Sequence, residues 1–144
     1  ETYMEYKVIL MNYTAPEQRS NVPIVCMFDE VVGRMKYFEY LKLLSHVMIN
    51  IDITPDYTYG RGVVDAAALG VPTIGSKTIE AIRRLFMGLE VESGRDDKVK
   101  QMCINLLKDN KYYEQVANDA MAQCHFYSLE NSYNRMVDAI CECC

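Results

Sequence analysis

The chain has 144 residues, 50% of them hydrophobic and 24% charged, the balance of one globular domain able to bury a real core. Its net charge is −5 with no dense Lys/Arg block, which argues against nucleic acid as the main partner. No apolar run reaches the roughly 18 residues of a membrane span, and no basic stretch followed by an apolar core marks a signal peptide, so no transmembrane segment is expected.

In chain order, residues 6–11 (Tyr-Lys-Val-Ile-Leu-Met) read as a strand, and residues 12–21 as a polar loop holding Pro16. Residues 22–28 form a second apolar run whose length and Val/Ile content favour a strand. About ten loop residues separate these two runs, fewer than the dozen or so a parallel crossover needs, so the chain is expected to be truncated or to have lost a piece near its start. From Met35 to His46 the period becomes helical, with Phe38, Leu41 and Leu44 on one face. Residues 47–53 are the third strand.

Residues 54–76 organise the rest. A polar loop holds Gly60 and Gly62, a run of small and apolar residues suits a helix, Gly70 stops it, and Val71-Pro72-Thr73-Ile74-Gly75 reads as a buried strand. Residues 77–87 are helix-like, with Ile79, Ile82 and Phe86 apolar, Arg83 and Arg84 outward, and Glu80 suited to the helix dipole. Leu89 to Val91 is a short strand. Three helices close the chain, with expected caps at Asp96, Asn110 and Ser128. Their inward stripes are Val99, Met102, Cys103, Leu106 and Leu107, then Tyr113, Val116, Ala117, Ala120, Met121 and Cys124, then Leu129, Tyr133, Met136, Val137 and Ile140. Strands that are apolar on both faces and alternate with helices predict an α/β fold. Its expected form is a Rossmann-like parallel sheet flanked by helices, with a C-terminal helical cluster packed on the sheet or reaching to a neighbour.

Six cysteines are present. Cys26, Cys103 and Cys124 sit in apolar runs or on apolar faces and read as buried thiols. Cys141-Glu142-Cys143-Cys144 can hold a soft metal, but no second ligand cluster accompanies it, so no metal is expected. A lipidated tail is equally unsupported. The setting is read as reducing and cytoplasmic. His46 and His125 read as helix-end or packing residues, and the dispersed tyrosines do not form a nucleic-acid platform.

The chemistry concentrates at Tyr59, Gly60, Arg61, Gly62 and Asp65. A glycine-containing loop leading into a helix start offers free amides to a phosphate. Asp65, one turn inside that helix, can accept hydrogen bonds from vicinal hydroxyls such as those of a ribose. The plainer reading is a solvent-facing Asp favoured by the dipole, with glycines serving the turn.

The order of residues here resembles the C-terminal domain of GT-B retaining glycosyltransferases, which use nucleotide-sugar donors. Tyr59-Gly60 is similar to the family's aromatic-Gly step and Asp65 to its second acidic residue. Ala66-Ala67-Ala68 is similar to its Ala-x-Ala, and Gly70-Val71-Pro72-Thr73-Ile74 to its Gly-x-Pro-Val-Val. A looser similarity covers about residues 37–140, with Glu80 at the next acidic position and Tyr127-Ser128 in the closing segment. The resemblance implies that Asp65 holds the donor ribose and that Tyr59, Gly60, Arg61 and Gly62 lie near its diphosphate, with Tyr57 and Thr58 also in the donor-binding set. It implies a single donor-binding domain over 1–144 within a two-domain protein, with the acceptor sugar or lipid brought by a missing N-terminal domain and no cofactor beyond the donor substrate. Two departures stand out. The family's first acidic position, eight before Asp65, is Tyr57, with Asp56 beside it. The basic pair that neutralises the diphosphate has no motif here; Arg19, Arg34 and Arg61 are candidates. The catalytic residues stay unknown. Two rival readings are a non-catalytic relative, favoured by Tyr57, and a signalling receiver domain, whose early acidic cluster is absent.

Overall fold

The computed structural model describes residues 9–11, 30–92 and 96–142. The chain divides into two units, Glu1–Tyr40 and Leu41–Cys144. In the first, β1 (Ile9–Met11) pairs in parallel with β2 (Glu30–Val32), Ile9 opposite Glu30 and Met11 opposite Val32. β1 falls inside the expected strand 6–11. The expected loop 12–21 and strand 22–28 lie outside the described residues. Since the partner strand is 30–32, the connection spans residues 12–29, long enough for a parallel crossover.

The unit boundary falls within α1 (Tyr37–Leu44). The Lys36 amide donates to Glu39 Oε2 at 3.0 Å, half of a capping box at the helix start. Leu44 is buried, but Phe38 is 82% exposed instead of facing inward.

The second unit is α/β. Its three-stranded parallel sheet has the order β3 (Asn50–Asp52), β4 (Thr73–Ser76), β5 (Glu90–Val91). Asn50 lies opposite Thr73, Asp52 opposite Gly75, and Ser76 opposite Val91. α2 (Arg61–Ala68) connects β3 to β4, and α3 (Glu80–Leu85) connects β4 to β5. β4 is central and every residue in it is buried, the polar Thr73 and Ser76 included. Its one buried hydroxyl pair is treated unequally. Thr73 Oγ1 accepts from Asn50 Nδ2 at 3.3 Å, whereas Ser76 Oγ has no partner among the described residues.

α2 ends because Gly70 takes φ 70°. The Gly70 amide then donates to the Ala67 carbonyl and the Val71 amide to the Ala66 carbonyl, closing a Schellman motif that turns the chain into β4. Val63 and Ala67 of α2, Ile74 of β4, Ile82 and Leu85 of α3, and Phe86 and Leu89 form the centre of the core. Burying each of the larger side chains contributes about 1.5–3 kcal/mol.

α4 (Asp96–Lys108) and α5 (Asn110–Gln123) follow. Val99 and Leu106 enter the core, with Met102 and Cys103 against it, as their spacing predicts. Asp96 is the first residue of α4 rather than the residue before it. The cap of α5 is Asp109, not Asn110: its extended backbone lets the carboxylate accept from the Tyr112 amide at 3.0 Å. α5 packs on α2 and α3. Met121 is 46% exposed rather than inward, its methyl lying over Gly70.

A 3-10 turn (Cys124–Tyr127) leads into α6 (Leu129–Glu142). Ser128 Oγ accepts from the Asn131 amide at 3.2 Å, the expected cap. The expected inward stripe of α6 is not inward. Leu129, Tyr133, Met136, Val137 and Ile140 are all exposed, and no residue of α6 is buried. The helix is held by polar groups instead: Asn131 donates to the His125 carbonyl, and Arg135 to the Phe126 carbonyl. Among the described residues no helix is long and apolar enough to cross a membrane.

Candidate functional site

In parallel sheets the crevice for a ligand lies beyond the carboxyl ends of the strands. Here the loops leaving β3 and β4 meet at that end. Thr78 Oγ1 donates to the Thr54 carbonyl at 2.9 Å. The Thr58 amide donates to the Thr78 carbonyl, the Glu80 amide to the Thr58 carbonyl at 2.9 Å, and the Ala81 amide to the Tyr59 carbonyl at 3.1 Å. Residues 58–59 therefore occupy the first amides of α3.

Gly60 closes this loop with φ 85°. It is buried, and a methyl group on it would collide with Ile79 Cγ2. Its missing side chain thus serves packing against α3, in addition to permitting the left-handed turn. The Gly60 carbonyl accepts from the Val63 and Val64 amides, but no side chain caps α2. Arg61, exposed, and Gly62 are its first two residues.

Asp65 sits in the second turn of α2, partly buried. It stands near Cys124, whose Sγ donates to the Val64 carbonyl at 3.7 Å. Burial pushes the Cys124 thiol up from its ordinary pKa, and the Asp65 charge adds to the shift. Asp65 and the loop are thus on one helix and its entry, while Tyr57 and Tyr59 turn towards α3 and the 3-10 turn.

Tyr57 is 74% exposed, and its hydroxyl accepts from Arg83 Nη2 at 3.1 Å. The position that resembles the family's first carboxylate is therefore a phenol tied to a guanidinium. Asp56 beside it is exposed. A carboxylate that the strand pattern concealed is Asp52, at the end of β3. Burial raises its pKa, opposed by a backbone hydrogen bond from Thr54.

Tyr59 packs its ring edge-on to Tyr127, with centroids 5.5 Å apart at 80°. Tyr127 donates to Glu80 Oε2 at 3.3 Å. Burial first, then the Glu80 charge and hydrogen bond, push the Tyr127 phenol up to about 12 against the opposing pull of Arg84. Tyr59 is also raised, by burial and by Glu80, with Arg135 opposing. Phe126 lies beside this pair. The Arg84 and Arg135 guanidinium carbons are 3.7 and 3.8 Å from its ring centroid. Both guanidiniums are thus in cation–π contact with the one ring. This contact fastens α6 to α3.

Of the basic candidates, Arg19 lies outside the described residues and Arg34 is exposed just after β2. Arg83, Arg84 and Arg135 are the guanidiniums that gather near the loop. Helical periodicity places Arg83 and Arg84 merely outward, and nothing in the sequence joins Phe126 or Arg135 to them. His46 Nδ1 donates to the Lys42 carbonyl and His125 Nδ1 to the Ala122 carbonyl, each at 2.6 Å, consistent with helix-end roles. Cys103 and Cys124 are partly buried and Cys141 is exposed; Cys26, Cys143 and Cys144 lie outside the described residues. No group of His, Cys, Asp and Glu that could hold a metal occurs among the described residues. No protein-family model matches the chain, and no curated protein matches it.

Proposed function

We propose that the chain is the nucleotide-sugar donor-binding, C-terminal domain of a GT-B retaining glycosyltransferase, Rossmann-like in fold with a closing helical cluster. The observation that carries this reading is the arrangement at the carboxyl end of β3. The loop 57–60 enters α2, whose first turn has no side-chain cap, and Asp65 follows one turn later. A helix start without a side-chain cap favours an anion such as the donor diphosphate. Asp65 would hold the ribose, with Tyr59, Gly60, Arg61 and Gly62 around the phosphates and Tyr57 and Thr58 nearer the rest of the donor.

Retaining transfer asks this domain mainly to position the donor and stabilise the leaving diphosphate. Arg61, exposed at the start of α2, would add charge there. The acceptor, a sugar or lipid, would be brought by a second domain, and the setting would be cytoplasmic. The exposed apolar stripe of α6 is a surface on which another domain can pack.

Calorimetry with uridine, guanosine and adenosine diphosphates tests the reading. One of them should bind, Asp65→Ala should weaken it about tenfold, and Arg61→Ala should weaken the diphosphate more than it weakens the free nucleoside. Failure of all three nucleotides to bind removes the proposal.

A second reading, a non-catalytic relative that keeps nucleotide binding, is favoured by Tyr57. Its hydroxyl bonded to Arg83 cannot supply the charge of a carboxylate. Donor hydrolysis or sugar transfer by a protein containing this chain would count against it.

A further inference from the structure

An open hollow of about 360 Å³ lies beside α3, lined by Glu80, Arg83, Arg84, Met87 and Gln123. Its charge runs against that of the chain. Two guanidiniums line it and a third, Arg135, shares the Phe126 ring with Arg84, yet the net charge of the chain is −5. Among the described residues no carboxylate is within ion-pair distance of Arg83, Arg84 or Arg135. Three guanidiniums around the single carboxylate Glu80 leave the local balance positive, which favours an anion.

The donors are also held in place. The Phe126 ring holds the Arg84 guanidinium, its central carbon 3.7 Å from the ring centroid. Arg83 gives one N–H to Tyr57, which orients it and leaves other donors of its fork. Glu80 imposes the second requirement. Tyr127 donates to its Oε2, leaving acceptor capacity on the carboxylate. A bare dianion would be repelled by Glu80, whereas a ligand carrying a hydroxyl can donate to it. Gln123 can both donate and accept.

We infer that this hollow binds a phosphate monoester of a small polyol, the phosphate on Arg83 and Arg84 and a hydroxyl on Glu80. Its volume is at the small end of ligand sites, the size of a sugar phosphate. The site does not rest on the donor-binding reading: Asp65 and the start of α2 contribute nothing to it.

Amide NMR titration of the full chain with inorganic phosphate, glucose 6-phosphate and glucose tests it. Glucose 6-phosphate should bind more tightly than phosphate, glucose should not bind, and added salt should weaken both anions. Arg83→Gln should weaken glucose 6-phosphate about tenfold. That residue is exposed and its one side-chain hydrogen bond among the described residues is to an exposed phenol, so the variant should keep its amide spectrum. Tyr57→Phe should weaken binding less than Arg83→Gln does, and Glu80→Gln should narrow the gap between the two anions. The inference is overturned if neither anion binds wild type, if glucose 6-phosphate is no better than phosphate, or if Arg83→Gln binds unchanged. Loss in Asp65→Ala but not in Arg83→Gln also overturns it, and places the anion at the start of α2 as the donor-binding reading has it.

Discussion

The hydroxyl of Tyr127 donates to the carboxylate of Glu80 across 47 residues of sequence, at 3.3 Å. Glu80 opens α3, and its amide is held by the Thr58 carbonyl at 2.9 Å. One hydrogen bond thus joins the segment before α6 to the loop that enters α2. Tyr127→Phe should cost about 1 kcal/mol in urea unfolding and lower Tm by several degrees. No change would mean that the Tyr59 ring contact alone holds this junction.

The same phenol makes stability depend on alkaline pH. Its folded pKa of about 12 exceeds the ordinary value of 10.0. Between these values the unfolded chain has lost the proton that the folded chain keeps, so stability falls as pH rises. The contribution is fully present below pH 10 and lost as pH passes about 12. Tyr59 and Tyr113, also raised, act in the same direction. Unfolding measured from pH 9 upward should show the decline, and Tyr127→Phe should flatten it.

Gly60→Ala should be among the costly single changes in the second unit. Its φ of 85° is unfavourable for any side chain, at about 1–2 kcal/mol. The added methyl also meets Ile79 Cγ2. A combined loss of about 2 kcal/mol or more in urea unfolding is expected. Gly60→Ala with Ile79→Ala separates the two contributions by removing the collision and keeping the strained backbone.

The stripe on α6 should behave as surface. Leu129→Gln and Met136→Gln should each change stability by no more than about 0.5 kcal/mol. Ile82→Ala, at a fully buried position, should cost about 2–5 kcal/mol. A core-sized loss at Leu129, which is 88% exposed, would show that the stripe is covered.

The thiols should separate by reactivity. Cys141 is exposed, while burial holds the pKa of Cys103 and Cys124 up. Alkylation near pH 8, with peptide mass spectrometry as the readout, should modify Cys141 before either. Asp65→Asn removes the charge that adds to the Cys124 shift, and should speed modification of Cys124 without changing Cys103.

Local chemistry makes much of the second unit readable in sequence. The change from an apolar run to a 3.6-residue period marks β3 to α2. Gly70 followed by Val71-Pro72 marks the stop and the return into β4, because a left-handed residue ends the helix and Pro72 cannot continue it. Sequence is a weaker guide where two local candidates compete. Asp109 and Asn110 are both good caps, and the extended backbone of Asp109 decides between them.

By itself, the sequence determined the order of strand, loop, helix and strand around Asp65, since periodicity, helix stops and apolar runs are properties of neighbouring residues. Only the tertiary structure decided which groups face each other. An amphipathic stripe specifies that α6 has an apolar side, but its polar side carries the anchoring bonds to the 3-10 turn, so the apolar side stays exposed. Likewise Glu80 and Tyr127, or Arg84, Phe126 and Arg135, are brought together by helices packing across the sheet unit. Hydrogen bonds and cation–π contacts act over a few ångströms of space, a distance that separation along the chain does not encode.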